Sequence, residues 1–182
     1  GASHPACTAN SAMVEEAAQR LVGFKDEGNG HYKAGDFKSA VASYAKGVAL
    51  LPDPDDSEDE AAPAELDPVM RKQGAVLLCN RAAAYMADNK PIPALADAQR
   101  ASDMDPDNWK AHWRVGLALM MMKVRLERSE QAVAAFERAR KCPTLPAAEV
   151  ENVDQGIARA KYRLKEGQDA LDMPDMSNCV IA

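Results

Sequence analysis

The sequence predicts an all-α fold, and three observations carry that prediction. Only 5% of the 182 residues are aromatic, β-branched runs are nearly absent, and Ala, Leu, Glu, Lys and Met dominate, so intrinsic propensity favours helix along almost the whole length. Breakers at Gly35-Asp36, Leu51-Pro52-Asp53-Pro54, Asn89-Lys90-Pro91, Asp105-Pro106-Asp107 and Cys142-Pro143 cut the chain into helices of roughly 12 to 20 residues joined by tight turns. Small and aromatic residues then recur at a fixed spacing from one pair of helices to the next.

Taken in order, the first unit carries Gly28, Ala40, Tyr44 and Pro52, and the second carries Ala82, Tyr85, Ala94, Ala101 and Pro106. The third carries Gly116, Ala132, Phe136 and Ala139. Asn80 and Arg114 are 34 residues apart, which is the period of the tetratricopeptide repeat, a helix-turn-helix unit. Gly or Ala in the first helix and Ala in the second let the axes approach closely, while Tyr44 and Phe136 fill the space beside them. One such unit cannot bury its apolar face alone, so the expectation is three stacked units plus a C-terminal capping helix in a right-handed α-solenoid. The stretch 147–171 has Val150, Val153, Ile157, Ala160 and Leu164 on one stripe and reads as that cap.

The expected organisation is a flexible, tag-like segment 1–12 with Met13 as the native start, and a repeat domain 13–142 carrying an acidic insert at 53–67. A capping helix 143–171 and a flexible tail 172–182 follow. Two departures from the period are informative. About four extra residues near Met121 to Arg128 are one helical turn, enough to lengthen a helix or its turn without rotating the inner face. About twenty extra residues between the first and second units include Asp53 to Asp67, with eight acids and no Lys or Arg, a solvated acidic loop.

The formal net charge of −6 argues against a general nucleic-acid binder. Setting the insert aside leaves 20 acids against 22 bases, so the repeat body is mildly basic. Cys7, Cys79, Cys142 and Cys179 form no C-x-x-C pair or framework, which favours a reducing, cytoplasmic setting. No apolar run is long enough to cross a bilayer. Gly28-Asn-Gly30-His-Tyr-Lys-Ala-Gly35 is neither a dinucleotide fingerprint nor a P-loop, and His4, His31 and His112 have no partners at metal-ligand spacing. The sequence therefore predicts no catalytic residue, cofactor or metal.

With the repeats in register, the inner positions of the three first helices hold Lys25 and Asn29, then Asn80, then Lys110 and Arg114. Both flanking pairs are spaced i, i+4 and project from one helix face. Lys and Arg offer charge-assisted hydrogen bonds to an anion, while Asn amides donate without adding charge and also accept from a peptide N–H. Such a set suits carboxylates.

These residues carry a family resemblance. Lys25-Asp-Glu-Gly-Asn29, Asn80-Arg-Ala-Ala-Ala-Tyr85 and Lys110-Ala-His-Trp-Arg114 resemble the dicarboxylate-clamp tetratricopeptide domains of co-chaperones, over about residues 21–142. The resemblance implies that the five matching positions hold the C-terminal Glu-Glu-Val-Asp of heat-shock protein 90, heat-shock protein 70 or both. His31 and His112, where Tyr or Phe often sits, and Gly47, where Ala is usual, depart from the common pattern. The organelle-surface receptors for precursor or signal peptides also use such repeats, and they are the alternative reading.

Tail residues upstream of the terminal Asp are expected along a secondary groove near Ala83, Leu117, Met120 and Met121, where methionines adapt to different side chains. Finally, Cys179-Val-Ile-Ala182 fits the C-a-a-X prenylation pattern, with Ala at X favouring farnesyl. One lipid beside Asp172 and Asp175 predicts only marginal membrane association.

Overall fold

The computed structural model describes residues 5–52, 66–123 and 125–172, with side-chain environments within 13–52, 66–123 and 125–167. Residues 53–65 of the acidic insert, and Cys179 with its C-a-a-X motif, lie outside the described residues. The elements are α1 (Pro5–Lys33), α2 (Phe37–Val48), α3 (Pro68–Ala87), α4 (Pro91–Met104), α5 (Trp109–Met121), α6 (Leu126–Lys141), a single 3-10 turn (Ala147–Glu149) and α7 (Val150–Asp172).

The turns follow from the breakers. Gly35 takes φ 78°, and the N–H groups of Gly35 and Asp36 return to the carbonyls of Tyr32 and His31, closing α1. Asp36 then caps α2 by accepting from Ser39 N at 3.1 Å, and Asp67 caps α3 by accepting from Val69 N at 2.8 Å ahead of Pro68. Asn89, at φ 56°, turns the chain between α3 and α4. The four extra residues of the third unit fall in the connection between Met121 and Leu126, so they lengthen the turn rather than the helix. α1 begins at Pro5, within the segment 1–12 that the sequence reads as tag-like.

Each helix packs against the next along the chain, and α1, α3 and α5 also lie side by side as one layer of first helices. Close approach is set where the repeat pattern placed it. A Cβ on Gly28 would stand 2.3 Å from Tyr44 Cε1, and one on Gly116 would stand 2.4 Å from Phe136 Cε1. Only a bare glycine admits the ring. The corresponding positions of the middle unit hold Ala82 and Ala98, both fully buried.

The core has two parts. One joins α1 to α4 around Leu21, Tyr44, Leu77 and Leu78; the other joins α5, α6 and α7 around Leu119, Phe136 and Ala160. The cap seats through Gly156, whose missing side chain makes room for Trp113, and Trp113 in turn tilts against Phe136 at 4.9 Å between centroids. Within the middle unit Arg81 forks onto buried Asp97, with Nε to Oδ2 at 2.7 Å and Nη2 to Oδ1 at 2.6 Å. Among the described residues no helix is long and apolar enough to cross a membrane.

Candidate functional site

The five positions singled out in the sequence lie on α1, α3 and α5, the three helices that stand side by side. Asn29 and Asn80 are brought into direct contact. Asn29 Oδ1 accepts from Asn80 Nδ2 at 3.2 Å and from the Tyr44 hydroxyl at 2.8 Å. With both lone pairs of that oxygen engaged, the Asn29 amide nitrogen is the group left to donate. Lys25 sits one turn earlier on α1, about a quarter exposed, with Nζ 3.6 Å from Asp26 Oδ1. That contact between sequence neighbours on an exposed surface is weak.

On α5, Lys110 is exposed and its Nζ lies 5.8 Å from the Trp109 ring centroid. Arg114 is half-buried, and its Nη1 is buried with no hydrogen-bond partner among the described residues. An unpaired donor of this kind is costly unless something else completes it.

Beneath these groups lies Cys79, one residue before Asn80 and 2% exposed. Burial pushes its thiol above the ordinary range, and Arg114 and then Lys110 oppose that rise. Tyr44 likewise has its phenol raised, first by burial and then by Tyr32, with Arg114 again pulling the other way. Arg114 of α5 thus lies near both Tyr44 of α2 and Cys79 of α3. Among the described residues no three His, Cys, Asp or Glu side chains group to hold a metal ion.

Ala83, Leu117, Met120 and Met121 share one open groove of ≈ 550 Å³ with Arg114, Tyr32 and Trp113. Sequence reasoning had Tyr44 only as packing, whereas its hydroxyl orients Asn29. A buried tyrosine generally seeks a partner for its O–H, and that was the available signal. Trp113 and Tyr32 also line this groove, and the sequence pattern did not single them out.

The fold is that of a tetratricopeptide-repeat solenoid, and comparison with solved structures agrees. The TPR2B domain of yeast Sti1, solved in complex with an Hsp70 peptide, superposes with a TM-score of 0.62 at 19% identity, over 80% of this chain and 98% of that one. The second TPR of Spaghetti (RPAP3), bound to the HSP90 peptide SRMEEVD, gives 0.53 at 28% identity, over 70% and 95%. In sequence the chain is 30% identical over 124 residues to protein unc-45 homolog B of Xenopus laevis, covering 68% of this chain and 11% of that protein. It spans between 11% and 34% of the length of the curated relatives it matches. No protein-family model matches it.

Proposed function

We propose that this domain is a non-enzymatic, cytosolic adaptor that holds the acidic C-terminal tail of heat-shock protein 90 or heat-shock protein 70, through Lys25, Asn29, Asn80, Lys110 and Arg114. The observation that carries this reading is Arg114, whose buried Nη1 has no partner on the same face that fixes the Asn29 and Asn80 amides against each other. A carboxylate supplies what that donor lacks. A C-terminal aspartate brings two carboxylates on one residue, matching a donor set with no acid among its five positions. Solved neighbours of the same fold hold Hsp70 and HSP90 peptides, which supports the same occupant here.

Calorimetric titration with Glu-Glu-Val-Asp peptide tests it. The expected dissociation constant is on the order of micromolar, about −8 kcal/mol, because a short flexible ligand must be ordered on binding. Lys110→Ala, Arg114→Ala, or amidation of the peptide terminus should each cost roughly 2 to 5 kcal/mol. Binding that survives all three changes excludes a carboxylate clamp.

A further inference from the structure

The last turn of α5 lacks what usually finishes a helix. It contains no basic residue, and Met122 closes it in extended conformation with its N–H returned to Leu119 O. The terminal carbonyls, at the negative end of the helix dipole, need donors from elsewhere. They find them on α7. Arg163 Nη1 donates to Met120 O and lies 3.5 Å from Met120 Sδ, while Nη2 donates to Met122 O at 3.3 Å. One guanidinium thus holds two carbonyls and touches the thioether between them.

Met120 sits where two cavities meet. It lines the ≈ 550 Å³ groove that contains Arg114, and also a ≈ 420 Å³ cavity whose far wall is Asn152, Gly156 and Arg159 of α7. Trp113 and Leu117 are common to both, so they and Met120 form a ridge on one face of α5. From Arg114 to Met121 is about 10 Å along the helix axis. A tail held by its terminal carboxylates beside Arg114 and running toward the end of α5 therefore lays its upstream residues against this ridge.

We propose that Arg163 of the capping helix is a positioning residue for the upstream half of the groove. It fixes the backbone and thioether of Met120, and so makes the cap part of the recognition surface rather than only a lid on the core. The proposal rests on the tail-binding reading, and it separates the two halves of the ligand: the terminal carboxylates lie outside the reach of Arg163, whereas residues upstream of the acidic pair depend on it.

The test titrates the full 182-residue chain with Glu-Glu-Val-Asp and with Ser-Gly-Pro-Thr-Ile-Glu-Glu-Val-Asp, comparing Arg163→Ala, Arg163→Lys and Met120→Ala. Arg163→Lys keeps the charge and stem but not the two-pronged fork. Each substitution should weaken the nonapeptide about five- to tenfold and the tetrapeptide less than about twofold, and Arg163→Ala with Met120→Ala should lose no more than either alone, since they act on one contact. If Arg163→Ala does not fold, Arg163→Lys and Met120→Ala carry the comparison. Equal losses for both peptides, or none for either, would overturn the proposal while the clamp stands. Binding of neither peptide to the unsubstituted chain would overturn the tail-binding reading and this proposal with it.

Discussion

Asn80 donates to Asn29 across two repeats, side chain to side chain, and the Tyr44 hydroxyl donates to the same oxygen. The arrangement fixes which end of the Asn29 amide points outward. Asn29→Asp keeps the shape and still accepts both bonds, but it replaces the free donor with a second acceptor facing the ligand. We expect the melting temperature to move by only a few degrees while affinity for an acidic tail falls by about a hundredfold or more, because a carboxylate then faces a carboxylate. Calorimetry paired with thermal unfolding checks this; equal loss of stability and affinity would assign Asn29 to the fold alone.

Gly116 and Gly23 should respond oppositely to the same substitution. A methyl at Gly116 meets the Phe136 ring, whereas nothing lies within 4 Å of one at Gly23. Gly116→Ala should destabilise by about 1 to 3 kcal/mol through overpacking, with partial recovery in Gly116→Ala/Phe136→Leu. Gly23→Ala, mid-helix and exposed, should stabilise by about 0.4 to 1 kcal/mol. Denaturant midpoints of the three variants give the comparison.

The Arg81–Asp97 fork sets another test. Asp97→Ala leaves a largely buried guanidinium without its carboxylate and should cost about 3 to 5 kcal/mol. Replacing both residues, as in Arg81→Met/Asp97→Leu, should cost much less, since no charge is then stranded. A double variant as unstable as the single one would show that the pair contributes beyond mutual neutralisation.

Alkaline stability should depend on Tyr44. Its phenol is pushed up by burial, so the folded state keeps the proton at pH values where an unfolded tyrosine, at about pH 10, gives it up. A raised acid of this kind contributes in full below the unfolded value and loses that contribution as pH climbs through the folded one. Tyr44→Phe should therefore show a flatter decline in denaturant midpoint as pH rises above about 10, read against the unsubstituted chain.

Much of the solenoid was legible because its determinants are local and periodic. Gly28 with Tyr44, and Gly116 with Phe136, announce close helix pairs by residue type alone, and Gly35-Asp36 and Asn89-Lys90-Pro91 announce the turns between helices. The i, i+4 spacing of Lys25 with Asn29 and of Lys110 with Arg114 fixes that each pair shares a side of its helix, and the structure adds the contact of Asn29 with Asn80 between helices. What stayed hidden involves partners without a sequence signature. Arg163 bonds backbone carbonyls 43 and 41 residues away, and any residue type supplies a carbonyl. Gly156 likewise reads as a weak point in a helix until Trp113 is seen filling it.

The lone Nη1 of Arg114 also decides when water leaves the site. Folding has already taken Nη1 out of water, so an arriving carboxylate meets one donor that needs no further desolvation, while the rest of the half-buried guanidinium still sheds its hydration on binding. Under the proposed tail binding, occupancy returns as resistance to unfolding that grows with the logarithm of ligand concentration. In a cell that clears unfolded chains, the standing amount of the domain would, under the proposed tail binding, follow the supply of free tails.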